Sequence, residues 1–345
     1  MHKNASPDGP RLGCASVGTE VERRRERQKP LNTDNIRIGI VGATGYAGQV
    51  LHALLMQHPC MDPVLASDRD PSDEAIARFR ECRVVALAIP DGPARAWASA
   101  LTDRGIGVLD LSGAYRRTDG IHYGVPELWG APPSDASIVA NPGCYPTATL
   151  LALVPLLRAG AIESAPIAVV GASGTSGAGK SLRDDLHFSA LFGNTFPYKV
   201  GSHKHIPEIA RHLGAPVSFV TQLLPIVRGI LVTGFVTPTR GPEHVLETLQ
   251  HAYETHPYVT VLPEPGPGLG VAHVVGSHQA VLAVGPSADG GQVPVFGAID
   301  NLMRGAASQA LANLNLWCGL SMESGLPHPV QHAGNVVPPM TRALQ

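Results

Sequence analysis

The chain has 345 residues, 44% of them hydrophobic and 16% charged, enough to bury a large core in two domains. Its formal net charge of -2 gives no basic field for non-specific nucleic-acid binding and favours small-molecule work. Its 5 cysteines are scattered and form no CxxC pair, which argues against a disulfide framework or a zinc knuckle and suits a reducing compartment, the cytoplasm; the strongest apolar run, 150–157, is far shorter than the about 20 residues of a membrane span.

Residues 1–34 are polar and charge-rich, with VERRRERQKP at 21–30, and lack the apolar core of a secretory signal. They are expected to form a disordered extension, because glutamates interleaved with the basic residues weaken any nucleic-acid-binding field. From residue 35 the pattern turns regular. IRIGIV (36–41) is an apolar β-type run that leads into the turn Gly42-Ala43-Thr44-Gly45-Tyr46-Ala47-Gly48 and then a helical stretch. Further short apolar runs, PVLAS (63–67), RVVALAIP (83–90) and GVLDLS (107–112), alternate with helical segments. Such alternation predicts an α/β, Rossmann-type parallel sheet with right-handed crossovers over 35–143.

The spacing of the glycine turn is GxxGxxG. Following a strand and opening a helix, it offers backbone N–H groups and a positive helix end to a dinucleotide pyrophosphate, through Gly42, Thr44, Gly45, Tyr46, Ala47 and Gly48. At the end of the second strand, Ser67 and Arg69 suit the 2'-phosphate of NADP, whereas Asp68 suits the free hydroxyl of NAD. Both cofactors stay open on these residues.

After NPGCYPT (141–147) the β-type runs lengthen, in IAVVGAS, VSFVTQLLPIVRGILVTGFVTP and HVVGSHQAVLAVG. They predict an α+β catalytic and dimerisation domain with a large mixed sheet over 144–300, of a kind suited to a homodimer or homotetramer. The segment 301–345 is expected to return to the first domain as a helix and end in a tail. Cys144 stands among turn formers at a strand end, where sites in open α/β sheets form, and a thiol there needs a base to become a nucleophile. His203 and His205 of GSHKHIPEI are the obvious donors. No third ligand stands at a metal-binding spacing, so a base is preferred to a metal site.

The motifs GATGYAG, LDLSGAYRR, HYGVPEL, NPGCYPT, SGTSGAGK, HKHIPEI, LPIVRGI and DNLMRGAASQALANLN occur in an order that resembles the N-acetyl-gamma-glutamyl-phosphate reductase family, over about residues 36–316. The resemblance implies NADPH-dependent reduction of an acyl phosphate to an aldehyde through a thioester on Cys144, in arginine biosynthesis. It implies His203 as base and His205 as a substrate-orienting group. Arg116 would hold phosphate and Arg228 a carboxylate or phosphate, with Ser112, Asn141, Lys180 and Glu208 nearby. Backbone N–H groups at Gly143 and Cys144 would meet the oxyanion. Ser173, Gly174, Ser176 and Gly177 would line the nicotinamide, and Asn301 would contact the cofactor. The short segment between Arg69 and Arg83 departs from the family and leaves NAD possible. The similar lysine-pathway enzyme for an aminoadipyl phosphate, sometimes carried on a small protein, is an alternative substrate assignment. Aspartate-semialdehyde dehydrogenases are a more distant one, since Gly143-Cys144-Tyr145 differs from their cysteine turn. A catalytically silent dinucleotide sensor would not need Cys144, His203 and Arg116 together.

Overall fold

A computed structural model of the chain describes residues 35–66, 70–287 and 291–329. The expected N-terminal extension, the cofactor-selecting triplet Ser67, Asp68 and Arg69, and the end of the tail lie outside the described residues.

The first sheet has six strands in the order β2-β1-β3-β4-β6-β5. They are β1 (Ile36–Val41), β2 (Met61–Ala66), β3 (Val84–Leu87), β4 (Gly107–Asp110), β5 (His122–Tyr123) and β6 (Ile138–Ala140). Every pairing is parallel. Parallel strands covered on both faces must be apolar along their length, and Ile38, Ile40, Val41, Val84, Val85, Ala86 and Leu87 are accordingly almost fully buried. The strand order reverses beside β1, so the glycine turn opens at the switch point where such sheets bind ligands.

The second sheet has seven strands, ordered β11-β12-β13-β10-β7-β9-β8, with parallel and antiparallel pairs mixed. It contains β7 (Ile167–Ser173), β8 (Phe196–Tyr198), β9 (Val217–Leu223), β10 (Ile230–Val236), β11 (Val259–Val261), β12 (Ala280–Val284) and β13 (Val293–Ile299). The fold class is therefore a Rossmann-type parallel sheet with a second, mixed-sheet α+β part. The long run expected from 217 to 238 is interrupted between β9 and β10, where Pro225 removes a backbone donor and Gly229 has a φ of +111°. Of the run expected at 273–285, only β12 is strand.

One helix, Cys144–Arg158, joins Cys144 to the core of the second sheet. Leu150, Leu153 and Leu156 pack in one cluster with Val169, Val232 and Val295. At about 1.5–3 kcal/mol for each fully buried side chain of this size, the helix is firmly seated. Residues 303–307 (Met303–Ala307) form a π-type turn that leads into the helix Ser308–Trp317, whose Leu311, Leu314 and Trp317 pack with Ile38, Ile40, Leu109 and Val139 of the first sheet.

Candidate active site

Strand β6 ends at Ala140, Gly143 caps the next helix, and Cys144 is its first residue. The first intrahelical bond runs from the Thr147 N–H to the Gly143 carbonyl (2.9 Å). The earlier donors therefore point outward, and the Tyr145 N–H reaches the Cys144 side chain. A helix N-terminus favours a thiolate. Burial outweighs this help and that of Arg116 and Lys204, and pushes the Cys144 thiol above the usual thiol range. At neutral pH the resting group is a thiol, and it needs a base.

The turn before Cys144 is clamped from three sides. Arg116 donates from Nε to the Asn141 carbonyl (2.8 Å) and from Nη2 to the Leu111 carbonyl (2.7 Å). Its Nη1 meets Glu208 Oε2 at 3.4 Å, an ion pair whose two side chains are both buried. Glu208 Oε1 accepts the Gly143 N–H (2.8 Å) and the Tyr123 hydroxyl (2.7 Å). The Asn141 amide donates to the Ala306 carbonyl (3.1 Å) and accepts from Asn313 (3.0 Å). Only glycine fits at 143, because a Cβ there would stand 2.5 Å from His205 Nε2 and 2.8 Å from Arg116 Nη1. The side chains of Asn141, Arg116 and Glu208 thus hold the turn, and the Gly143 N–H expected for the oxyanion is already bonded.

The two histidines occupy different layers. His203 packs edge-on against Tyr145, Tyr198 and Phe219, and its Nδ1 accepts the backbone N–H of His205 (3.1 Å). Its neutral ring must then carry the proton on Nε2. Burial, with Lys199 and Lys204 nearby, lowers His203 to about 4. His205 lines the cleft beside Cys144, and its buried Nδ1 has no protein partner. Burial, and then the Arg116 guanidinium, hold His205 well below the usual imidazole range, so it is neutral at physiological pH. A proton on its Nδ1 leaves the Nε2 lone pair beside Gly143. The family resemblance placed the base at the first histidine of the pair; of the two, His205 lines the cleft, whereas His203 does not and has its Nδ1 occupied by a backbone N–H.

A cleft of about 340 Å³ connects the glycine turn to the thiol, touching Gly45, Tyr46 and Ala47 at one end and Ser112, Cys144 and His205 at the other. The turn suits a dinucleotide. Gly42 has a φ of +87°, and a Cβ on Gly48 would lie 2.3 Å from the Gly42 carbonyl oxygen, so both glycines are required by the backbone. Gly45 has no such close neighbour, and its missing side chain leaves the helix start open. That helix, Tyr46–Leu55, has neither a side-chain cap nor an acidic residue in its first turn, so its N–H groups are available to a phosphate.

The opposite wall carries Ser176, Gly177, Lys180 and Asn301. Asn301 staples it, accepting the Gly229 N–H (2.8 Å) and donating to Ser176 Oγ (2.9 Å). Ser173 bonds the Gly174 carbonyl (3.0 Å), and a Cβ on Gly174 would strike the Val227 carbonyl at 2.7 Å. Lys180 reaches across to the Thr44 carbonyl of the glycine turn (3.0 Å), at the glycine-turn end of the cleft. Ser112 donates to Asp110 Oδ1 (2.5 Å). Arg228 lies away from the cleft lining and faces Asp300 (3.8 Å). Sequence reasoning missed Lys204, which lines the cleft between the two histidines, and Gly305, where a Cβ would stand 2.7 Å from the Cys144 Cβ. Their position inside HKHIPEI and DNLMRGA was the available signal. Among the described residues no cluster of three or more His, Cys, Asp or Glu is placed to hold a metal, and no helix is long and apolar enough to cross a membrane.

Residues 37–132 match the family described as semialdehyde dehydrogenase, NAD binding domain, and 144–301 the one described as semialdehyde dehydrogenase, dimerisation domain. The N-acetyl-gamma-glutamyl-phosphate reductase of Shouchella clausii is 37% identical over 84% of this chain and 98% of its own length. That of Salinispora arenicola is 37% identical over 84% and 97%. Among solved structures, aspartate semialdehyde dehydrogenase II of Vibrio cholerae, complexed with ASA, superposes with a TM-score of 0.67 at 16% identity, over 83% of this chain and 99% of that one. The Candida albicans aspartate semialdehyde dehydrogenase with NADP gives 0.61 at 17% identity, over 82% and 97%. At these identities the structural likeness speaks to fold alone.

Proposed function

The chain belongs to the N-acetyl-gamma-glutamyl-phosphate reductase family of semialdehyde dehydrogenases, and from that premise we propose that it reduces N-acetyl-gamma-glutamyl phosphate to N-acetyl-glutamate 5-semialdehyde and phosphate, using NADPH and a thioester on Cys144. The observation that carries the reading is the single cleft running from the glycine turn to the thiol. The reaction belongs to arginine biosynthesis in the cytoplasm.

The glycine turn, the Tyr46–Leu55 helix start and the Ser173–Gly177 wall would hold the cofactor, which when bound supplies the hydride. His205 takes the thiol proton as Cys144 Sγ attacks the acyl carbon and the bond to phosphate breaks. The departing phosphate carries that proton away, so His205 is neutral again while the acyl group is on sulfur, and the thiolate released with the aldehyde is reprotonated from solvent. With the Gly143 N–H bonded to Glu208, the Cys144 N–H at the helix start is the donor left for the oxyanion. The match to a dimerisation domain over 144–301, with Phe188 and Phe192 largely exposed, supports a homo-oligomer.

The test is the reverse reaction, with phosphate and either NADP or NAD, on N-acetyl-glutamate semialdehyde, free and carrier-bound aminoadipate semialdehyde, and aspartate semialdehyde. We expect the first aldehyde to be oxidised, with NADP. Preferential oxidation of either of the others would overturn the substrate, and preference for NAD would overturn the cofactor. Cys144→Ser should abolish turnover and keep cofactor binding; substantial turnover would sink the thioester. Light scattering on the same preparation reads the mass, and a monomer would remove the oligomer.

A further inference from the structure

Four cations come near the acyl-phosphate cleft or were expected there, and three are engaged. Arg116 is neutralised by Glu208 and directs its Nε and Nη2 at the carbonyls of Asn141 and Leu111. Lys180 is bonded to the Thr44 carbonyl at the glycine turn. Arg228 faces Asp300 and stands off the cleft. The fourth is Lys204. It lines the cleft together with Cys144, Arg116 and His205, its side chain is exposed, and among the described residues it makes no ion pair or hydrogen bond. Its charge is felt at Cys144, His203 and His205. A flexible ammonium with all three donors free suits a phosphate that must be held and then released.

We propose that Lys204 is the cation that binds the phosphate group of the acyl phosphate and steadies it as it departs from the carbon under attack by Cys144. This deepens the function proposed above and rests on it. Arg116, on which the sequence placed this role, acts instead through the backbone as the clamp of the nucleophile turn. The ligand chemistry is an oxyanion, and two oxyanions enter with the substrate: its phosphate and its carboxylate. Lys204 is assigned the phosphate because it stands between His203 and His205, lines the same cleft as Cys144 and acts on that thiol by its charge, whereas a carboxylate at the far end of the substrate lies several bonds from the carbon under attack.

The experiment compares wild type, Lys204→Met and Lys204→Arg in two assays. The first measures how inorganic phosphate protects Cys144 from iodoacetamide, read by mass spectrometry. The second measures KM for phosphate, aldehyde and NADP in the reverse reaction. Loss of one charge-assisted contact should raise the protecting concentration and the phosphate KM about ten- to a hundredfold in Lys204→Met, with the aldehyde and NADP constants unchanged. Lys204→Arg should recover most of the effect. An unchanged phosphate constant in Lys204→Met overturns the assignment, as does a rise confined to the aldehyde, which would move Lys204 to the carboxylate. If wild type oxidises none of the aldehydes yet phosphate still protects Cys144 in a Lys204-dependent way, the proposed reaction fails and the anion site stands.

Discussion

A base is useful only if its lone pair faces the proton it must take, and at the residue scale this separates His203 from His205. The sequence made the pair legible, as it did the cysteine in its stiff turn, because residue types and spacing are visible there. It could not decide between the histidines. That choice rests on a bond from the His205 N–H to His203 Nδ1, which exists only once the segment has folded. Arg116 teaches the same lesson, since a sequence shows a guanidinium and not the carbonyls it will bind. His205→Asn should therefore lower kcat about a hundredfold or more, the usual range for a general base, and slow alkylation of Cys144 at neutral pH. His203→Asn should leave alkylation within a few-fold of wild type. Stopped-flow turnover and alkylation rates check this, and the opposite ranking would return the base to His203.

At the scale of elements, the strands of the first sheet were readable because burial on both faces makes them continuous apolar runs. The end of the chain was harder. The motif DNLMRGAASQALANLN reads as one helix, yet residues 303–307 wind as a π-type turn before the regular helix Ser308–Trp317 begins. Such wide turns gather at functional sites, and this one sets Gly305 against Cys144. The contact that requires glycine comes from a residue far away in the chain, so no local pattern announces it. Gly305→Ala would add a methyl 2.7 Å from the Cys144 Cβ. Overpacking of this kind costs about 1–3 kcal/mol, and here the strain falls on Cys144. Urea unfolding should show that loss, and kcat should fall while KM for NADPH holds. A variant that is less stable but has a normal kcat would show that the turn supports the fold alone.

For the whole molecule, buried and half-buried imidazoles recur among the contacts that tie the parts together. His58 accepts the Cys60 N–H on Nδ1 (3.1 Å) and meets Asn315 of the terminal helix through Nε2 (3.0 Å). His212 stacks on Tyr123 at 3.5 Å between centroids and bonds the Arg116 carbonyl (2.7 Å). His278 lies between Ser308 and the buried Arg304, which pairs with Glu127 (2.6 Å). Burial lowers all of these below the ordinary imidazole value of 6.5, with His203 at about 4 and His205 and His278 well below normal. The unfolded chain therefore takes up protons first as the pH falls. Stability from this source is complete above about pH 6.5 and declines as the pH falls below it, the part due to His203 being lost by about pH 4. Urea denaturation at pH 7.5, 6 and 5 should show a steep loss on the acid side and little change above pH 7. His58→Gln, which cannot take up a proton in either state, should make the acid slope shallower while weakening the fold at pH 7.5. Equal stability at pH 7.5 and 5 would mean that the histidines are protonated in place. The contacts joining the terminal helix to the glycine-turn helix, and the clamp behind Cys144, would then have to accommodate charge that their hydrogen bonds now exclude.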